Sequence, residues 1–469
     1  MVVTLPPVSA PRLADADLDR LAGTLRGDLI RPGDPRYEAG RRVYNGMIDK
    51  HPALIVRCRD DADVIAAVGF ARTEGLVVAV RGGGHNAAGL GTCDGGLVID
   101  LSPMRGVRVD PERRVARVAG GAVWGDVDHA THSFGLAVPS GIISTTGVGG
   151  LTLGGGFGHL ARAHGLTCDN LLAADVVTAD GRLVTASPDA HPDLFWALRG
   201  GGGNFGVVTS FAFRLHPAGT VLGGPLFYPI ERSAALLRFY REFVAAAPRE
   251  LGIFFGFHLA PPAPFIPERW QNVPMAVFVV CYNGDPERGE AILRPLRALA
   301  PAIDLAGAIP FPALQSMFDA LQPPGLHHYW KADFDGALTD AMIDVHLDRG
   351  PLVPSAPSLM HLYPLDGAVQ EVPVEATAFS YRDVGFAHVI LAADADPAPM
   401  PGFVQWARDY WSALHPLSAG GAYVNFLMDE GEERVRATYR ENYGRLAAIK
   451  AAYDPENLFR VNQNIRPAA

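Results

Sequence analysis

Two glycine blocks limit what this chain can fold into more than any other feature. The first, Arg81-Gly82-Gly83-Gly84-His85-Asn86, follows directly on the apolar run Leu76-Val77-Val78-Ala79-Val80. A strand that runs into glycines exposes successive backbone N–H groups, an arrangement that cradles a pyrophosphate. His85 stands at the lip of that cradle, placed to touch whatever the phosphates carry. The second block runs from Pro139 to Gly158 and includes Ser140, Gly141, Ser144, Thr145, Thr146, Gly147, Gly150, Gly154, Gly155 and Gly156. Such a segment cannot pack a core, and ordering it costs much conformational entropy. Close approach to a large flat ligand offsets that cost. A flexible linker fits poorly, because linkers lack the interspersed Ile, Val, Leu and Phe seen here.

A nicotinamide-binding Rossmann domain is set aside. Gly201-Gly202-Gly203-Asn204-Phe205-Gly206 fits G-x-G-x-x-G, and Gly82 to Ala87 fits the looser form. That fingerprint needs a strand before it and a helix after it. Gly201 instead follows the helix-like run Asp193–Arg199 and precedes the strand-like run Val207–Leu215. Arg81 does follow a strand, but the next stretch, Gly89 to Gly96, holds four glycines and is no helix.

The segments together resemble the FAD-linked oxidases of the berberine bridge enzyme family, within the vanillyl-alcohol-oxidase type of flavoprotein. The resemblance is carried by Arg81–Asn86, Gly141–Gly158, Asp169-Asn170-Leu171 leading to Asp180-Gly181, Leu198–Gly206 and the tail Asp454–Ile465. It implies an α+β, two-domain chain. A PCMH-type FAD-binding domain covers 1–216, and a substrate domain with an antiparallel sheet flanked by helices covers 217–433. Residues 434–469 return to the FAD domain. The implied flavin contacts are Arg81, Gly82, Gly83, Gly84, His85, Asn86, Ser140, Gly141, Thr145, Thr146, Gly147, Gly150, Gly154, Gly155, Gly156, Gly206, Val208, Asn462 and Asn464.

The resemblance further implies that His85 bonds covalently to the 8α carbon of the flavin. An imidazole substituent withdraws electrons and makes the flavin a stronger oxidant. Many relatives add a second link through a cysteine, but here that position holds Ile143, so single attachment is expected. Cys168 is not at that position and reads as a small buried residue. In relatives the residue before the glycine of Gly147 lies over the flavin, where valine admits dioxygen and leucine hinders it. Thr146 stands there and is close to valine in shape, so an oxidase releasing hydrogen peroxide is expected.

Other chemistries find little support. A chain of 469 residues suggests two domains rather than one core. A net charge of −10 argues against a nucleic-acid partner. Cys58, Cys93, Cys168 and Cys281 are too few and scattered for a disulfide framework or zinc site. His327 and His328 point to opposite faces of a strand, and His159 and His164 lack helical ligand spacing, so no metal is expected. Neither a G-x-S-x-G elbow nor a Walker phosphate loop occurs. Met1 to Arg12 shows no leader pattern and no run approaches membrane-spanning length, which predicts a soluble, cytoplasmic protein.

Periodicity predicts helices at Asp15–Arg26, Asp61–Thr73, Val123–Phe134, Asp193–Arg199, Glu231–Ala246 and Arg288–Leu299, the last kinked at Pro295, and at Tyr439–Tyr453. It predicts strands at Ala53–Cys58, Leu76–Val80, Leu97–Leu101, Val115–Val118, Leu172–Thr178, Val207–Leu215, Met275–Cys281, Leu359–Leu362 and Ala387–Ala392. His216-Pro217-Ala218-Gly219 reads as a boundary.

Flavin oxidation of an alcohol or amine requires loss of a proton while a hydride passes to N5. Ala422–Phe426 resembles a strand on which relatives carry active-site tyrosines or acids, making Tyr423 the expected proton acceptor or orienting group. A tyrosine base needs a nearby positive charge, which Lys331 could supply; a core tyrosine and an ion pair with Asp333 are the plainer readings. Phe254–His258, Phe278–Tyr282, Tyr329–Lys331 and Tyr423 are the expected cavity lining. Alternation pairs Phe255 with Phe257, and Phe278 with Tyr282. The expected partners are a small molecule and dioxygen. An oxygen-insensitive dehydrogenase and an idle flavin-binding module stay open as alternatives, because fold does not choose among them.

Overall fold

The computed structural model describes residues 13–469; residues 1–12, where no leader pattern was read, lie outside the described residues. A four-stranded sheet begins the chain, in the order Asp28–Ile30, Leu54–Arg57, Leu97–Asp100, Val78–Arg81. Its last three strands are parallel. Helix Asp61–Thr73 makes the crossover, capped by Asp60, whose side chain accepts from the Asp63 amide. The helix buries Val64, Ala67, Val68 and Ala71 against the sheet. Strands buried on both faces explain the near-continuous apolar runs. The strand Val78–Arg81 thus delivers the first glycine block at its carboxyl end.

A five-stranded antiparallel sheet follows, ordered Val107–Asp110, Val115–Ala119, Val207–Arg214, Leu171–Val177, Leu183–Ala186. The second glycine block, Pro139 to Gly158, contains a short helix, Val148–Leu153. His216–Pro217, read as a boundary, forms a small antiparallel bridge back to Leu136–Ala137.

The remainder builds one large antiparallel sheet. Its order is Ile303–Asp304, Thr220–Pro229, Pro274–Tyr282, Leu251–Leu259, Leu359–Pro364, Phe386–Asp394, His327–Asp335. Gly307–Pro310 also pairs with Thr220–Pro229. One face packs under helices Ser233–Ala246, Pro286–Ala298, Asp340–Arg349 and Met400–Leu414. The other face packs against Phe157, Ala161, Leu166 and Cys168 of the glycine-rich half. Strand alternation divides each strand between these two cores.

One long strand has no counterpart among the expected elements, and two expectations need correction. Thr220–Pro229 is a ten-residue strand whose periodicity is hidden in the sequence by Gly223, Gly224 and Pro225. Gly224 takes a φ of +136°, and a Cβ there would meet the Leu305 carbonyl. Ala422–Phe426 is not a strand; Val424–Phe426 forms a single 3-10 turn. The helix expected at Tyr439–Tyr453 starts three residues later, at Asn442–Tyr453, because Tyr439 closes a separate helix, Glu432–Tyr439, and Arg440, with a φ of +46°, breaks the chain between them. Pro295 lies inside the helix Pro286–Ala298.

The C-terminal helices return to the glycine-rich half, where Val435, Tyr439, Leu446 and Ile465 join the core of the five-stranded sheet. A buried ion pair fixes this docking. Lys450 Nζ donates to Asp454 at 2.6 Å, to the Asn204 carbonyl at 2.6 Å and to the Phe459 carbonyl at 3.2 Å. Asp454 accepts in turn from the amides of Leu458 and Phe459. Neither side chain is exposed. Removing one partner strands the other charge in the core, at a cost of about 3–5 kcal/mol. Asp454→Ala should therefore lose roughly that much stability in urea unfolding; a change below about 1 kcal/mol would show the pair to be dispensable.

Candidate active site

The two glycine blocks meet where backbone touches backbone. A Cβ on Gly83 would lie 2.5 Å from the Gly147 amide nitrogen, so neither chain has room for a side chain. Gly147 is held from behind: the Trp124 amide donates to the Thr146 carbonyl, and the Gly125 amide to that of Ser144. Above this crossing opens a cavity of about 300 Å³, bounded below by the glycine blocks and above by the large sheet. Among the described residues, the amides of Gly83, Gly84 and His85 donate to no protein acceptor.

His85 stands at the junction. Its Nε2 lies 2.9 Å from Thr145 Oγ1 and its Nδ1 3.4 Å from Thr146 Oγ1. Tyr44 stacks on the imidazole with ring centroids 3.7 Å apart, and His328 stacks on the other side of Tyr44. Burial, with a smaller effect of His328, pushes the imidazole down to about 3, so His85 is neutral at physiological pH. Tyr44 carried no sequence signal, since its role depends on packing across the chain.

The residues expected at the cofactor separate into two groups. Arg81, Gly82, Gly83, Gly84, His85, Asn86, Gly141, Thr146, Gly147, Gly150, Gly206, Val208 and Asn462 line the cavity. The Arg81 guanidinium, however, is spent on Asp100, 2.8 Å away, beneath the loop. Ser140, Thr145, Gly154, Gly155, Gly156 and Asn464 are not part of the lining. Thr145 reaches it only through His85. Ser140 accepts from Gln315 Nε2 at 2.6 Å. The three glycines make room for protein: a Cβ would strike Asn425 at Gly154, Phe379 at Gly155 and Thr167 at Gly156. They read as ligand contacts because composition cannot distinguish a glycine facing a cofactor from one facing a neighbouring side chain.

Tyr423 lines the cavity, but as an anchored group. Its hydroxyl accepts from the Gly156 amide at 2.8 Å and from Asn425 Nδ2 at 2.6 Å. Burial outweighs both bonds and pushes the phenol well above its ordinary value; no cation acts on it. Lys331, expected to supply that charge, is directed elsewhere. Its ammonium pairs with Glu430 at 2.8 Å and lies 4.4 Å over Trp411, while the neighbouring Trp330 faces the cavity. Lys331 therefore gives Tyr423 no charge that would support a tyrosinate. Orientation of a ligand by Tyr423 is not.

The expected aromatic lining is corrected in the same way. Phe255, Phe257, Phe278 and Tyr282 share faces as alternation required, but that face packs under the helices. Of the expected lining, His258, Trp330 and Tyr423 do face the cavity, and Phe157, Phe318, His361, Tyr363 and Phe426 join them.

This arrangement has known counterparts. Residues 52–187 match the family described as FAD binding domain, and residues 422–466 match the one described as berberine and berberine like. An FAD-linked oxidoreductase of Dictyostelium discoideum is 33% identical over 451 residues, covering 95% of each chain. The chain belongs to the berberine bridge enzyme-like FAD-linked oxidoreductases. The (R)-6-hydroxynicotine oxidase of Paenarthrobacter nicotinovorans is 31% identical over 471 residues, 95% of this chain and 97% of that one. The solved 6-hydroxy-D-nicotine oxidase of Arthrobacter nicotinovorans superposes with a TM-score of 0.84 at 28% identity, over 95% of this chain and 98% of that one. The xylooligosaccharide oxidase of Myceliophthora thermophila superposes with a TM-score of 0.83 at 25% identity, over 97% and 100%.

The residues present fit FAD. Three unpartnered amides at a glycine loop suit an anionic pyrophosphate. Gly202, Gly203 and Gly206 extend the side-chain-free wall, and a Cβ on Gly203 would meet Asn462 at 2.9 Å. This FAD-linked oxidoreductase depends on the Gly83–Gly147 crossing. Gly83→Ala forces backbone apart at a site of over-packing, which costs about 1–3 kcal/mol. The expected result is a lower Tm together with a fall in flavin absorbance per protein; full flavin content at unchanged Tm would show that the crossing can relax.

Proposed function

We propose that this enzyme is an oxidase that removes two electrons from a hydroxyl- or amine-bearing small molecule, a natural product, alkaloid or sugar. Its FAD is held covalently through His85, and dioxygen is the final acceptor, giving hydrogen peroxide. The observation that carries the reading is His85 itself: a neutral imidazole, with one unprotonated ring nitrogen to act as a nucleophile, lining the cavity where the two glycine blocks meet.

When bound, the flavin accepts the electron pair and passes it to dioxygen. The chain's own residues do the rest. Thr145 and Thr146 orient the imidazole through its two nitrogens, and Tyr44 holds its plane. Ile143 has no sulfur to offer at the position of a second link. Cys168 is buried, its thiol pushed up by burial, which makes it a poor nucleophile. Phe157, Phe318, Trp330 and Phe426 give the cavity a largely apolar wall. Thr146 leaves room for dioxygen where a larger side chain would not. Four free cysteines are in keeping with a cytoplasmic location. The named relatives act on a hydroxylated nicotine and on oligosaccharides, and both classes belong in the substrate panel.

The reading is tested on acid-denatured, washed protein. Yellow colour and the mass of one FAD should stay with the chain and be lost in His85→Ala. Colour released from the wild type would refute the covalent link, and a panel that never bleaches the flavin would favour an idle binding module. Thr146→Leu should slow peroxide release on the order of tenfold, about 1.4 kcal/mol of barrier, with flavin reduction unchanged. Equal oxygen consumption by both proteins would remove Thr146 from the argument.

A further inference from the structure

Three side chains on the roof of the cavity form a hydrogen-bonded line that the flavin-binding apparatus does not use. His258 Nε2 and His361 Nε2 lie 2.6 Å apart, and His361 Nδ1 lies 2.6 Å from the Tyr363 hydroxyl. All three residues are buried and all three line the cavity. His258 comes from the strand Leu251–Leu259, and His361 and Tyr363 from the adjacent strand Leu359–Pro364. The pair meets only because residue 256 is glycine. A Cβ there would stand 2.7 Å from the His361 ring and 3.2 Å from His258 Nε2.

Two imidazole nitrogens at this distance must share one proton, so one ring donates while the other accepts. The tautomers are thereby coupled. If Tyr363 donates to His361, then His361 donates to His258 and leaves His258 Nδ1 protonated. In the opposite state His258 donates to His361, His361 donates to Tyr363, and His258 Nδ1 is a bare lone pair. Among the described residues, His258 Nδ1 has no hydrogen-bond partner, and it is not among the fully enclosed unpartnered side-chain atoms. Burial pushes His258 down to about 4 and His361 well below its ordinary value. An imidazolium is therefore disfavoured, and a simple base that keeps its proton would be weak here.

We propose that His258, His361 and Tyr363 form a neutral proton relay for substrate oxidation, with His258 Nδ1 as the atom that takes the substrate's hydroxyl or amine proton. The inference rests on the oxidase reading. As the substrate's carbon–hydrogen bond breaks and its electron pair leaves for the bound cofactor, its O–H or N–H proton passes to His258 Nδ1. The proton on His258 Nε2 moves to His361 Nε2, that on His361 Nδ1 moves to the Tyr363 oxygen, and the original Tyr363 proton leaves to cavity water. One proton enters, one departs, and no ring becomes charged. The substrate gains a carbonyl or imine bond, and dioxygen takes up the two electrons and two protons as peroxide. His258 touches substrate; His361 and Tyr363 act through it.

The test has one arm that needs no turnover. In holoenzyme labelled with ¹⁵N-histidine, His258 and His361 should both be neutral at pH 7, with a shared downfield proton that vanishes in His361→Gln. Two rings titrating independently near the ordinary value of about 6.5 would overturn the relay. The second arm follows anaerobic flavin bleaching by 6-hydroxynicotine, xylobiose and benzylic alcohols. With a compound the wild type oxidises, His258→Ala should bleach about 10²-fold more slowly at saturation, and added imidazole should restore part of the rate. Tyr363→Phe, which keeps the packed ring, should slow bleaching at least about tenfold with little change in substrate affinity. Wild-type rates in both variants would overturn the proposal. A wild-type flavin that no compound bleaches would count against the oxidase reading instead, and the shared proton would still decide for or against the coupled pair.

Discussion

The contact between Gly83 and Gly147 governs the rest of the molecule. Two loops from distant parts of the chain cross without a side chain between them, and each is braced by a different sheet. The parallel sheet supplies one loop, anchored below by the Arg81–Asp100 ion pair. The second loop is pinned by the amides of Trp124 and Gly125, and it continues into the helix Val148–Leu153. The crossing fixes Thr145 and Thr146 against His85. Glycine is required here for proximity rather than for an unusual dihedral, since Gly147 itself has a φ of −64°.

The large sheet completes the site by having two unlike faces. Phe255, Phe257 and Phe278 hold the helices, while Phe254, His258 and His361 look toward the flavin half. A one-residue slip would exchange these sets and place imidazoles in a dry core. The wide antiparallel ladders that join Leu251–Leu259 to both neighbours resist such a slip. Enclosure by apolar rings then sets the chemistry: histidines here stay neutral, and tyrosines keep their protons.

Much of this was legible before the fold. The glycine blocks, the strand that delivers His85 and the returning C-terminal segment all leave marks within a few residues of each other. The helix Asp61–Thr73 shows its start at Asp60 and its apolar face by simple periodicity. What escaped depended on contacts between distant residues. Tyr44 gives no local sign that it will stack on His85. His361 looks like any histidine in an apolar strand until His258 is known to lie diagonally across from it. Lys331 illustrates the converse, for a lysine beside Trp330 invites a catalytic reading, yet its partner Glu430 arrives from far along the chain. The strand expected at Ala422–Phe426 came from resemblance alone; among the described residues no strand pairs with this segment, and Val424–Phe426 closes into a 3-10 turn.

The position of Asn462 and Gln463 has a consequence for biogenesis. Asn462 Nδ2 donates to the Gly203 carbonyl, Gln463 Nε2 to those of Leu427 and Met428, and both residues form part of the cavity wall. These residues leave the ribosome long after His85 has emerged. The glycine-rich half therefore cannot present a finished wall to its prosthetic group during translation. The cavity wall closes only when this C-terminal segment has docked, so a complete flavin site requires the fold of both ends of the chain.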